Sequence, residues 1–243
     1  MRAYLCSAYN SNLTISFGGE RKPVNKVLLG RYHTLHQASG EIADQTFWYD
    51  PNAYGSSRSV AVELDKIDKL RADVVEFYAA LDSSPFSKLI ERSLVRWVNA
   101  FDTVDYDSAI ISTWASLESL LSLSAEKDNS KIPKRCANLY QQSDFARQVI
   151  EHIRDYRNSN VHRGETSDEP KTICYQLQRY FLQTVFFMLS NAKDFETHAE
   201  MLEFLDLPND EESLNRRLLL LAKAKNFYNP PRADEVSKEI NDD

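Results

Sequence analysis

Positions 105–121 read DYDSAIISTWASLESLL, and the spacing of the large apolar residues there decides the fold class. Ile110, Trp114, Leu117 and Leu121 recur at i, i+4, i+7 and i+11, the period of one face of an α-helix. The helix spans about 105–124, and Glu118 sits beside its core stripe rather than opposite it. The same period continues on both sides. Upstream, Phe86, Ile90, Leu94, Trp97 and Phe101 mark a helix opened by Pro85. Before it, Val60, Leu64, Ile67, Val74 and Tyr78 mark another, running from about Ser57 to Asp82-Ser83-Ser84-Pro85.

Downstream, 132–140 reads as a short helix with Pro133 at its start. Phe145, Val149, Ile153 and Tyr156 then space a fifth helix reaching at least to Arg157, ending or bending just before Gly164. Beyond the breaker region 164–170, positions 173–189 form a long apolar helix. Cys174, Leu177, Phe181, Val185 and Met188 lie on one side, and Tyr180, Thr184 and Phe187 on another, so it is buried on more than one face. The last fifty residues carry 13 acidic and 6 basic side chains and read as a peripheral helix or two, then a disordered tail from Asn229-Pro230-Pro231.

Residues 1–56 differ. Leu13, Ile15 and Phe17 alternate with polar neighbours ahead of Gly18-Gly19, a strand and turn signal, and Val24, Val27, Leu28 and Leu29 offer a second strand. The aromatic cluster Phe47-Trp48-Tyr49 is expected to anchor against an apolar surface. The expectation is therefore a mainly α helical bundle with a small N-terminal segment containing short β-strands. It divides into an accessory segment 1–84, a helical domain 85–207 and an acidic C-terminal helix and tail 208–243.

Composition agrees with this reading. A chain of 243 residues, 42% hydrophobic and 27% charged, buries a substantial core without staples, and only 6 Gly and 8 Pro leave few turn residues for a many-stranded sandwich. Cys6, Cys136 and Cys174 are odd in number and far apart, which fits a reducing cytoplasmic location. The first eight residues are too short for a secretory apolar region, and no stretch is long enough to span a bilayer.

A net charge of −7 opposes bulk coating of nucleic acid, yet seven cations and three anions between Lys131 and Arg163 give that segment +4. Dinucleotide, P-loop, HExxH and GxSxG signatures are absent, and no acidic or cysteine set surrounds the five histidines at metal-ligand spacing. Neither a cofactor nor a catalytic metal is expected.

An arginine followed five positions later by histidine occurs three times, as Arg31/His36, Arg147/His152 and Arg157/His162, so spacing alone selects none. Context separates them. The first lies in the irregular N-terminal segment. The second falls inside a helix, where five residues turn through about 500° and separate the side chains, leaving a solvated face. Arg157/His162 straddles the expected helix end, and Asn158 and His162 share a face at i, i+4.

Three runs in order, DYDSAIISTWASLESLL (105–121), IPKRCANLY (132–140) and ARQVIEHIRDYRNSNVHRGE (146–165), resemble the Apea-like branch of the HEPN superfamily across about residues 85–192. The resemblance implies a compact helical bundle and a metal-independent endoribonuclease built on Arg-polar-x(3–5)-His, with Arg157 the motif arginine, Asn158 its polar neighbour and His162 the motif histidine. Gly164 stands where the nucleotidyltransferase-paired branch has a tyrosine, so that branch's regulation by AMP addition is not carried over. The resemblance also implies a homodimer with a composite cleft, RNA as substrate, a toxin or phage-defence role and an antitoxin or regulatory partner. In that arrangement Arg154, Arg163, Lys134 and Arg135 line a basic groove for RNA. Glu118 reads as a partner for an arginine rather than a catalyst. A catalytically silent module binding RNA, nucleotides or protein is the alternative.

Overall fold

The computed structural model describes residues 1–10, 21–51, 66–123, 126, 129–163 and 169–229, with the backbone alone at 129, 162 and 163. Helix α7 (Pro170–Ser190) carries more apolar surface than one stripe holds, and packing follows from that. Cys174, Leu177, Phe181, Val185 and Met188 are buried on one side, and Tyr180 and Thr184 on another, as the sequence pattern requires. Helices α3 (Ser87–Ala100) and α4 (Tyr106–Leu121) form a hairpin against it, joined by a loop too short for anything but neighbouring helices. All nine apolar residues read as their stripes, from Phe86 to Leu121, are buried. The Trp97 ring lies 5.5 Å from Phe181 and 6.0 Å from Phe101. Asp105 caps α4, its carboxylate accepting from the Ser108 amide at 3.2 Å.

Helix α2 (Ile67–Ser83) precedes this hairpin, and positions 52–65, with the expected start of that helix, lie outside the described residues. Phe77 and Leu81, not Tyr78, carry its inward stripe, and Tyr78 is exposed. Helix α5 (Ile132–Ala137) opens with Pro133 in its first turn and is followed by α6 (Ser143–Arg163), α8 (His198–Asp206) and α9 (Glu211–Tyr228). Arg135 fastens this end. Only 3% exposed, it donates to both Asp206 carboxylate oxygens at 2.8 Å, to Glu126 at 2.8 and 2.9 Å, and to the Leu121 carbonyl at 2.7 Å. One guanidinium thus joins α4, α5, the connecting loop and α8.

The N-terminal segment shares the core. Helix α1 (Arg2–Tyr9) buries Cys6, and Arg2 donates to Asp102 at 2.7 Å. The expected strand over 24–29 is not formed. Val24 is buried in irregular chain, and Asn25 makes the bonds that hold this strap: its amide donates to the Phe101 carbonyl at 3.1 Å, and its side chain donates to Val98 O and Asp102, both at 2.7 Å. Sequence period cannot show a strap whose backbone bonds to side chains and helix ends. The alternating stretch 13–17 and its Gly-Gly turn lie outside the described residues.

The two strands are instead β1 (Tyr32–His36) and β2 (Ile42–Tyr49), an antiparallel hairpin with Tyr32 opposite Tyr49 and Thr34 opposite Phe47. Gly40 takes φ +90° in its turn, a conformation that favours glycine. The cluster expected to anchor on an apolar surface is exposed, Phe47, Trp48 and Tyr49 at 62, 51 and 50%. Among the described residues the rings of Phe47 and Tyr49 pack on Tyr32, at 6.4 and 5.5 Å between centroids, and β2 is exposed along its whole length. The result is a mainly α fold with one two-stranded sheet among the described residues. Positions 230–243, which include the expected tail, lie outside the described residues, as does the breaker 164–168.

Hydrogen bonds from Arg135 hold the Glu126 carboxyl down from its ordinary 4.5 to about 2, and Asp206 is lowered by the same donor. A carboxylate depressed in the folded chain contributes stability above its unfolded pKa, and that contribution is lost as pH falls from about 4.5 towards 2. Arg135→Met is expected to cost about 3 kcal/mol at pH 7, and to flatten the stability loss below pH 4.5. Urea unfolding of both proteins across that range checks it.

Candidate functional site

The motif residues lie on α6, whose core stripe is offset by one position from the sequence expectation. Ala146, Ile150 and Ile153 are buried, Val149 and Tyr156 are half-buried, and Phe145 is 64% exposed. Extending the stripe one turn past Ile153 brings it to Arg157, half-buried where the pattern calls for an apolar residue.

Two neighbouring side chains tie this turn to α4. Tyr156 donates its hydroxyl to Asp107 in the first turn of α4. Arg157 reaches towards the other end of the same helix, where its Nη2 stands 3.9 Å from Glu118 Oε2. That separation is an ion pair beyond hydrogen-bond range. Nη1 donates to Asn158 Oδ1 at 2.9 Å, and the buried Nε has no hydrogen-bond partner among the described residues. A buried donor without an acceptor costs about 1–3 kcal/mol. The same holds for Trp97 Nε1 and Thr113 Oγ1 in the core.

The helix reaches past Arg157, as expected, and runs through Arg163, with 164–168 outside the described residues. On a regular helix positions 157 and 162 stand about 140° apart, whereas 158 and 162 stand about 40° apart. Asn158 and His162 therefore share a face, and Arg157 turns towards α4. The side chains of His162 and Arg163 lie outside the described residues.

Of the four residues expected to line a groove, Arg154, Lys134 and Arg135 have described side chains. Arg154 is half-buried on α6 and donates from Nε and Nη2 to Asp155, both at 3.2 Å. Lys134 spends its ammonium on the Asp206 carbonyl at 2.7 Å, beside Arg135. Arg135 itself is buried, its donors occupied by Glu126, Asp206 and Leu121, so it offers no groove surface. Charge counting along the sequence could not separate these two from α6, since their acceptors on α8 are about seventy residues away.

Sequence reasoning placed Glu118 correctly as a partner for an arginine, and Arg157 is that arginine. It missed the Tyr156–Asp107 contact, for which an acidic residue in the first turn of α4 was the available signal. The other two Arg/His pairs serve local structure. Arg147 bonds Glu151 at 2.9 Å on the solvated face of α6. His36 bridges Thr34 and the Gly40 carbonyl within the hairpin, at 2.9 Å each.

All three cysteines are buried and free, with Cys6 pushed up to about 11 and Cys136 to about 12 by burial, so none is poised as a nucleophile. Among the described residues no three His, Cys, Asp or Glu side chains gather as a metal site, and no helix is long and apolar enough to cross a membrane. No family model, curated protein or solved structure matches the chain.

Removing a buried donor that lacks a partner costs little. Arg157→Met is expected to change the unfolding free energy by less than about 1 kcal/mol. A loss above 2 kcal/mol in urea unfolding would assign Arg157 to holding α6 on α4.

Proposed function

We propose that this chain is a metal-independent endoribonuclease that cleaves RNA by attack of a 2′-OH at a site shared by two copies. The observation that carries the reading is Arg157: an arginine on the inward stripe of α6 that bonds Asn158, stands 3.9 Å from Glu118, and among the described residues has no partner for Nε. Arg157, Asn158 and His162 also fit the order of the motif implied by the resemblance to HEPN ribonucleases.

In the proposed reaction the 2′-oxygen bonds to the adjacent phosphorus and the bond from phosphorus to the 5′-oxygen breaks. A base takes the 2′ proton and an acid returns one to the leaving oxygen. Imidazole, with an ordinary pKa of about 6.5, serves either transfer near neutral pH. The fork of Arg157 supplies fixed positive charge to the phosphorane. One histidine cannot readily be base and acid together, so a twofold pairing of α6 supplies the second. Within one chain the positions of Arg157 and His162 are turned apart, which also favours a cleft drawing the arginine and the histidine from different copies.

Arg154 and Arg163 are the proposed backbone contacts. Arg135 and Lys134 are not included. The resemblance further suggests cytoplasmic action as a toxin or in phage defence, restrained by an antitoxin or regulatory partner. A second reading, a silent HEPN module that binds RNA, nucleotide or protein, draws on the nearness of Glu118 to Arg157, which offsets its charge.

His162→Ala and Arg157→Ala are each expected to lower the rate of RNA cleavage in EDTA by about 10²–10⁴-fold with melting temperature unchanged. Cleavage at the wild-type rate by either variant, measured on labelled RNA by gel, would overturn the assignment.

A further inference from the structure

Helix α9 is 18 residues long and buries none of them. Leu218, Leu219, Leu220 and Leu221 are 63, 65, 55 and 66% exposed, and Phe227 and Tyr228 are 79 and 77% exposed. A helix of this length is marginal alone in water, and apolar residues on a soluble helix ordinarily face a core. Its root is fixed. Asp210 caps it through the Ser213 amide at 2.8 Å, Asn209 donates to Ser143 Oγ at 2.7 Å, and Leu214 shares an apolar groove with Leu139, Phe187 and Phe204. From Asn215 onward the helix leaves the bundle with every residue exposed.

Spacing along α9 selects one seam. Glu211, Leu214, Leu218, Leu221 and Lys225 fall at i, i+3, i+7, i+10 and i+14, within about 80° of the helix circumference. The two ends of the helix differ in charge, with Asp210, Glu211 and Glu212 at the N-terminal end, Lys223 and Lys225 at the other, and Arg216 and Arg217 between them. A parallel pair would bring like charges together, whereas an antiparallel pair sets acid against base and opposes the two helix dipoles.

We propose that α9 pairs antiparallel with α9 of a second copy of this chain. With Leu218 on the twofold axis, Glu211 lies opposite the partner's Lys225 at both ends of the seam, and Leu214 lies one residue, about 1.5 Å along the axis, from level with the partner's Leu221. One register therefore satisfies the apolar and the charged positions together. The pairing involves no residue of the α6 site and is independent of the ribonuclease reading.

Cysteine cross-linking of the full chain tests it, since Cys6, Cys136 and Cys174 are buried and do not compete. Glu211→Cys and Lys225→Cys chains, separately tagged and co-expressed, are expected to give the mixed disulfide on mild oxidation, with little cross-linking of either chain alone. Same-variant dimers would mean parallel packing, and no cross-link would mean no seam; both overturn the proposal. A dimer formed through α6 alone gives the second result and leaves the ribonuclease reading intact. Leu218→Glu with Leu221→Glu supplies a second check. Because both positions are exposed, helicity and melting are expected to hold while the mixed disulfide is lost by at least tenfold; undiminished cross-linking would contradict the leucine seam.

Discussion

Two-sided burial of α7 is the constraint from which the remaining packing follows. A helix that is apolar around more than half its circumference has to be surrounded, and the surrounding elements can be read off its own contacts. Phe181 meets Trp97 of α3, the Cys174 thiol meets the Tyr106 carbonyl of α4, and Thr184 meets Cys136 of α5. Tyr180 packs on Tyr140, Phe187 stacks on Phe204 of α8, and Gln178 reaches Asn10 at the end of α1. Every other helix except α9 is placed by this requirement or by a neighbour that meets it. Arg135 then locks the far end by joining α8 to the close of α4 through charge-assisted bonds that are costly to break once buried.

The position of the candidate site is a consequence of that packing. α6 lies against α5 and α4 through Ala146, Ile150 and Ile153, and the same stripe extended one turn delivers Arg157 against Glu118. The fold thus sets a guanidinium beside a carboxylate, with one of its donors, Nε, unpartnered among the described residues. The continued helix through Arg163 turns position 162 about 140° from Arg157, and it is this separation that the proposed site between two chains is meant to bridge.

Where residues form regular helices with one dominant face, the sequence was enough. The stripes of α3, α4 and α7 were legible residue by residue because their apolar period is unbroken. Legibility failed where another interaction outweighs period. Phe145 looks like the start of a stripe until the smaller Ala146 takes the inward place, and Val24 looks like a strand until Asn25 pins it as a strap. Phe47, Trp48 and Tyr49 look like an anchor, yet they lie on a hairpin that makes its own small cluster. Of the site, the placement of Glu118 and the solvated character of Arg147 were legible on their helices. The removal of Arg135 and Lys134 from the cation set was not, because it depends on Asp206, which the chain brings near only on folding.

In the proposed reaction an RNA 2′-oxygen is the nucleophile, at a site that requires no metal. That reaction is tested most directly by incubating the full chain in EDTA with an oligoribonucleotide of defined sequence, and with the same oligonucleotide carrying one 2′-deoxy nucleotide at the cleaved position. The all-ribose strand is expected to be cleaved to a 2′,3′-cyclic phosphate and a 5′-OH, with the substituted position intact. Cleavage that survives the 2′-deoxy substitution, 5′-phosphate ends, or no cleavage of either strand would contradict the proposed reaction.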